Sequence, residues 1–241
     1  QNPAPRERDV IRRYNEHDYL GYERANEAAF LRLALLGLRD GGFYAVERRL
    51  FAAGRRRLLD IGCATGALLA ALRERGWEVC GVEVSAAQAA YARSERGLAV
   101  HTGSLEEAAF ASGAFDVVLA SHVIEHVADP LAFVWEVSQV LSGGGYFFVT
   151  TPNIAGFQAR LFGSRWRSAI FDHLYLFSKK TLRVLLEICG FHLEAWATWG
   201  GLAAGSAPPV LKKCCDAAVK AAGWGDVMLA RACYAAREIT M

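Results

Sequence analysis

Leu58-Leu59-Asp60-Ile61-Gly62-Cys63-Ala64-Thr65-Gly66 runs from an apolar stretch into an acid and a pair of glycines. A strand that stops in a glycine turn and restarts as a helix leaves backbone N–H groups bare around a cleft, and that cleft is where α/β proteins hold a cofactor. A hydride-transfer fingerprint reads G-x-G-x-x-G, whereas here the pattern is Asp60-x-Gly62-x-x-x-Gly66, with an acid before the first glycine. A carboxylate beside the turn repels a pyrophosphate and suits a cation.

Outward from this turn, short β-rich runs alternate with helical periodicity. Strands are expected at Arg57–Gly62, Glu78–Val84, Ala99–Gly103, Phe115–Ala120 and Tyr146–Thr151, with helices near 66–75, 85–96 and 130–141. Strands separated by helices make βαβ units and a parallel sheet. Upstream, Val10 and Tyr14, then Ala28, Phe30, Leu31, Ala34, Leu35 and Leu38, fall at helical spacing, and Asp40-Gly41-Gly42 is a stop signal. Downstream, Thr151-Pro152-Asn153 is a turn, a helical piece follows near 154–162, and Ser178 is placed to cap a helix through Cys189-Gly190. Phe191–Trp199 and Val227–Ala235 read as two further strands. Gly200-Gly201 and the 205–209 stretch read as a mobile loop before the last helix.

The 241 residues, 53% hydrophobic and 22% charged, suit one sizeable core rather than two domains. Lys+Arg 27 against Asp+Glu 25 leaves a formal charge of +2, and the basic runs are as short as Arg55-Arg56-Arg57, so charge argues against nucleic acid as a partner. Six cysteines without a C-x-x-C pair fit a reducing, cytoplasmic setting. No apolar run reaches the roughly 18 residues of a membrane span, and no leader pattern is read ahead of the first helix. The chain begins at Gln1 rather than Met, so its natural start is expected further upstream.

Six motifs stand in one order: Leu58–Gly66; Gly81-Val82-Glu83-Val84-Ser85; Gly103-Ser104-Leu105-Glu106; Phe115-Asp116-Val117-Val118-Leu119; His122 to Pro130; and Thr151-Pro152-Asn153. In that order, over about residues 55 to 200, the chain resembles class I S-adenosylmethionine-dependent methyltransferases. The likeness is to the branch of ubiquinone-biosynthesis O-methyltransferases and natural-product tailoring enzymes. Two positions depart from the pattern. Ala64 stands where many relatives have a third glycine, a small cost in a turn that need not adopt positive φ, and Ser104 stands where an acid is frequent.

The resemblance implies an α/β, Rossmann-like, doubly wound sheet of seven strands, mostly parallel with the last antiparallel. It is read as one domain: an N-terminal helical cap (1–45), a cofactor core (55–150), an insertion after strand 5 (151–190), and C-terminal strands and helix (191–241). It implies S-adenosylmethionine as cofactor. Gly62, Ala64 and Gly66 would let backbone approach its methionine part, Asp60 would lie near its amino group, and Glu83 would accept from the ribose hydroxyls. Val84 would flank adenine, Ser104 and Leu105 would run along its other edge, and Ser121 would lie next to the donor methyl. Glu83 could instead be a solvated strand-end acid, and Asp60 an N-cap to the helix after Gly66.

Methyl transfer to an alcohol or phenol also needs a base, and histidine is the usual one at neutral pH. His122 and His173 are the candidates, with His126 expected to pack or cap locally. His122-x-x-Glu125-His126 with His173 also resembles the metal cluster of small-RNA 3′-end 2′-O-methyltransferases, but no metal is assigned. The acceptor is expected to be a small molecule met by Tyr14, Tyr19, Tyr22, Phe157, Phe162, Trp166, Phe171, Tyr175 and Phe177, with Arg160, Arg165 and Arg167 nearby. Oxygen is the expected atom methylated and nitrogen the nearest competitor. Metal-dependent RNA methylation and a degenerate cofactor-binding regulator stand as the other readings.

Overall fold

The structure, a computed structural model, describes residues 19–201 and 208–235. Val10, Tyr14 and most of the 205–209 loop lie outside the described residues. A 22-residue helix α1 (Tyr19–Asp40) is turned at Gly42, whose φ of 79° only glycine adopts cheaply, into α2 (Phe43–Ala52). Then follow β1 (Arg57–Ile61), α3 (Ala67–Glu74), β2 (Glu78–Glu83), α4 (Ala86–Arg96), β3 (Ala99–Thr102), α5 (Leu105–Ala108), β4 (Phe115–Ser121) and α6 (Pro130–Val140). The chain closes with β5 (Leu141–Pro152), α7 (Phe157–Phe162), α8 (Lys179–Ile188), β6 (Phe191–Trp199), α9 (Pro209–Ala221) and β7 (Val227–Tyr234).

The seven strands lie in the order β3-β2-β1-β4-β5-β7-β6. β1 through β5 pair in parallel, and β7 slots antiparallel between β5 and β6. The chain leaves β1 toward β2 on one side and later returns to β4 on the other, so the order reverses at β1, where a crevice opens at the carboxyl ends. Both faces are buried because successive side chains alternate. Leu59, Ile61, Val118 and Phe147 face α6 (Phe133, Val137) and α8 (Leu182, Leu186). Leu58, Val117, Leu119 and Phe148 pack with α2 (Phe43, Val46, Leu50) and α3 (Leu69, Leu72) on the other side.

Three elements differ from the sequence expectation. α2 carries Phe43, Val46, Glu47 and Leu50 on its buried face, a 3-4 spacing hidden behind the stop signal at Gly41-Gly42. α5 is a single turn closed by a capping box between Ser104 and Glu107. β5 starts at Leu141, not Tyr146: its pairing jumps from Phe115↔Leu141 to Val117↔Tyr146, and the glycines at 143–145 absorb the extra residues as a bulge.

Candidate active site

One cavity of about 1150 Å³ lies at the carboxyl ends of β1, β2, β4 and β5 and is roofed by α1. Its walls include Asp60, Gly62, Ala64, Glu83, Val84, Ser104, Leu105, Ser121, His122 and His173. Gly66 is not among them. Its φ is 77° and a Cβ there would meet Leu98 at 2.4 Å, so its work is to start α3 and let α4 pack close, a revision of its expected role beside the cofactor.

At the β1 end, Asp60 is buried and accepts no hydrogen bond from the described residues. Burial, with the charge of Glu83 adding to it, pushes its carboxyl up to about 8. The N-cap of α3 is Gly66, without a side-chain bond, so Asp60 is not a helix cap. Glu83, also buried, accepts from the backbone N–H of Ala64 and of Ser85, each at 2.8 Å, so it is no solvated strand-end acid. Burial raises its pKa while those donors hold it down. Each oxygen keeps a lone pair for a second donor.

Ala64 corrects the expectation for its turn: its φ is 49°, in the left-handed region that costs an L-residue roughly 1–2 kcal/mol. The strain holds the Ala64 N–H on Glu83. Ser104 is drawn into a local bond, because its hydroxyl accepts from Glu107 N–H at 3.1 Å in the α5 cap, leaving its proton and one lone pair to offer a ligand.

α1 is fastened across the glycine turn. Thr65 Oγ1 donates to Glu27 at 2.7 Å, Arg96 reaches the other Glu27 oxygen at 2.6 Å, and Arg96 Nε donates to Thr65 O at 2.8 Å. Glu23, one turn earlier, is half-buried on the cavity wall.

At the β4 end the chain turns sharply. His122 N–H extends the ladder to Thr150 O at 2.9 Å, and its φ of 55° then swings the chain away. His122 Nδ1 meets Glu125 at 3.0 Å, and the fully buried Glu125 takes Thr151 Oγ1 on its other oxygen at 2.9 Å. Burial would raise the Glu125 pKa, yet the bond to His122 and the nearby His126 hold it low. A carboxylate only accepts, so His122 Nδ1 carries a proton, and the neutral form of the ring holds its lone pair at Nε2.

The loop between α7 and α8 is stapled to this turn. His126 Nδ1 donates to Asp172 O at 2.8 Å, Tyr175 N–H to Glu125 O at 3.2 Å, and Tyr175 Oη to Ala128 O at 3.0 Å. The His126 and His173 rings thus meet edge to face, 4.8 Å between centroids. His173 Nδ1 donates to Ser168 O at 2.7 Å, and burial lowers its pKa, so it is a neutral imidazole with Nε2 available. One ligand atom each from Glu125, His126 and His173 lies within 4.8 Å of the others.

The aromatic expectation is largely revised. Phe157, Phe162, Trp166, Phe171, Tyr175 and Phe177 do not line the cavity; the expected Tyr22 does, together with Phe30, Phe133, Phe148 and Trp199. Trp166 is buried with Nε1 donating to Asp226 at 2.7 Å, and Phe177 is core, so these rings anchor the loop. Arg167 lines the cavity and pairs with the buried Asp226 at 2.9 Å, while Arg160 lies over the Trp224 ring. The apolar stripe of α1, visible in the sequence, is what supplies Phe30, Leu31 and Ala34 to the wall.

A family model for a methyltransferase domain matches residues 21–195. A ubiquinone biosynthesis O-methyltransferase from Cereibacter sphaeroides is 37% identical over 117 residues, 46% of this chain and 47% of that protein. One from Aromatoleum aromaticum is 36% identical over 123 residues, 48% and 52% of the two chains. The chain spans about half the length of the curated relatives it matches. Among solved structures, a SAM-dependent methyltransferase from Thermotoga maritima, described as a possible histamine N-methyltransferase, matches with TM-score 0.61, 23% identity and coverage of 93% and 98%. The [4+2]-cyclase SpnF matches with TM-score 0.63, 19% identity and coverage of 97% and 98%. At these identities the structural likeness concerns the fold.

Proposed function

Because the chain belongs to the methyltransferase-domain family, we propose that it is an S-adenosylmethionine-dependent methyltransferase acting on an oxygen of a small-molecule acceptor. The observation that carries this reading is one cavity with carboxylates at one end and a Glu-oriented histidine at the other. Asp60 there is a buried carboxylate without a hydrogen-bond partner among the described residues, a group that suits the cofactor's ammonium. Bound, the cofactor supplies a methyl group already activated for in-line displacement.

The chain's own residues bind, orient and exclude water. Glu83 offers the ribose diol its remaining lone pairs, and Val84, Leu105 and the Ser104 hydroxyl border the base. Gly62 and Ala64 bring backbone near the methionine part, and Ser121 stands by the methyl. His122, held by Glu125, takes the acceptor's proton at Nε2, and His173 is the second base candidate. The acceptor side is apolar, bounded by Phe30, Phe133 and Trp199.

Within one domain, residues 19–45 cap the site, 55–150 hold the cofactor, 151–190 cover the acceptor side, and 191–201 with 208–235 close the sheet. Among the described residues no helix is long and apolar enough to cross a membrane. We place the protein in the cytoplasm, where its six thiols stay reduced.

A second reading is favoured by the Glu125, His126 and His173 cluster, whose two Nδ1–H groups are tied to backbone carbonyls as metal-ligating histidines usually are. A divalent ion there would polarise the acceptor hydroxyl. RNA as acceptor is disfavoured, because among the described residues seven carboxylates line the cavity against two cationic side chains, Arg167 and Lys212.

The test is calorimetric titration with S-adenosylhomocysteine, with added divalent metal and with chelator. Micromolar, metal-indifferent binding supports the first reading, metal-dependent binding the second, and no binding in any condition overturns both. Glu83→Ala is expected to weaken binding by about 1–3 kcal/mol. Turnover with a phenol panel then separates a methyltransferase from a cofactor-binding regulator.

A further inference from the structure

We propose that Glu23 of α1 is a charge-selecting residue of the cofactor cleft, which with Asp60 and Glu83 favours the cationic sulfonium cofactor over its neutral thioether product. The inference rests on the proposed cofactor and assigns a residue outside all six sequence motifs.

Three carboxylates, Glu23, Asp60 and Glu83, line the same cavity, and the charge of Glu83 acts on both of the others. Glu27, also on the wall, is already paired with Arg96 and hydrogen-bonded by Thr65. Glu23 has no ion pair among the described residues, and burial together with the charges of Glu83 and Glu27 raises its pKa. The two cationic side chains that line the cavity among the described residues are engaged elsewhere, Arg167 with Asp226 and Lys212 with Asp216. Two further groups suit a pocket built for a ligand: among the described residues Asp60, 4% exposed, is unpaired, and Gln88, 2% exposed, has an Nε2 without a partner.

In the empty cleft, burial and mutual repulsion favour the protonated forms of these carboxyls, and a cation that enters favours their ionised forms. Methyl transfer removes the sulfonium charge while leaving the rest of the ligand unchanged. A residue whose contribution is mainly charge therefore distinguishes substrate from product, which speeds exchange of spent cofactor. The Glu27–Thr65–Arg96 fastening fixes α1, the helix that carries Glu23 on the cavity wall.

The experiment measures dissociation constants of S-adenosylmethionine and S-adenosylhomocysteine by calorimetry for the full chain and for Glu23→Gln. The ratio favouring the sulfonium form is expected to fall roughly five- to twentyfold, with homocysteine-ligand affinity unchanged or improved. An unchanged ratio, or equal weakening of both ligands, overturns the proposal and makes Glu23 a helix-docking residue. Should Glu23→Gln fold poorly, Glu23→Ala and the wild-type ratio at high against low salt ask the same question; a salt-insensitive ratio again overturns it. If wild type binds neither ligand, the cofactor assignment itself falls, an outcome distinct from the loss of selectivity.

Discussion

His122 combines two properties that a substitution must separate. Its φ of 55° is a left-handed conformation in which asparagine, like histidine, is comparatively tolerated, while alanine is strained. Its Nδ1 bond to Glu125 fixes the tautomer that leaves Nε2 basic. His122→Asn therefore keeps the turn and removes the base. We expect turnover to fall by about 10²- to 10⁴-fold with S-adenosylhomocysteine affinity unchanged; full activity would move the base role to His173 or to the metal reading. The sequence put His122 after the fourth strand but not its conformation, because a positive φ is set by where the chain must go next. Ala64 teaches the same lesson: its identity was plain, its strain was not.

Among the elements, the segment between α7 and α8 depends on a few side chains for its position. Asp226 at the entry to β7 accepts from Trp166 Nε1 and Arg167 Nε, and Asn153 Nδ2 donates to Gly225 O at 2.9 Å beside it. Trp166→Phe removes a donor to a fully buried carboxylate and is expected to cost about 1–3 kcal/mol. Limited proteolysis should show faster cleavage within residues 163–177, and His173 should lose its seat beside His126; unchanged cleavage and stability would deny Trp166 this anchoring role. Strand and helix alternation was legible through β5 because βαβ units impose it. The direction of each loop aromatic was not, since an aromatic in irregular chain has no periodicity to assign its side.

At the scale of the whole molecule, the two ends of the sheet treat their acids in opposite ways. At the amino end, buried Asp116 joins β1, β4 and β5 through Arg55, Arg57 and Ser142, with Arg55 Nε at 3.0 Å and Ser142 Oγ at 3.0 Å. Burial opposes ionisation there, but bonds from Arg57, Arg55 and Ser142 win and bring its carboxyl down to about 2. A depressed carboxylate stabilises the fold above its unfolded pKa near 4 and loses that contribution as pH falls toward 2. Asp116→Asn is thus expected to cost about 1–2 kcal/mol near pH 6, allowing for the partly exposed arginines, and the deficit should shrink toward zero by pH 2. Denaturant unfolding across that range checks it; a pH-independent deficit would point to lost packing instead.

Asp60 at the carboxyl end has the reverse sign. Its raised pKa means that it detracts from stability of the empty protein as pH rises from about 4 through about 8. The acid at the amino end is thus balanced by the chain's own arginines, and Asp60 is left where a ligand can balance it.

The sequence by itself determined the parallel α/β sheet, the order of its motifs and the acids at the ends of β1 and β2, because period-two apolar runs, glycine turns and strand-end carboxylates are local in the chain. Only the tertiary structure decided that Glu23 joins those acids, that Ser104 is taken up by a cap, and that Glu125, His126 and His173 converge across 48 residues. It also decided which rings face the cavity. Those facts arise from packing between distant segments, where burial and unpaired charge depend on neighbours that spacing along the chain cannot name.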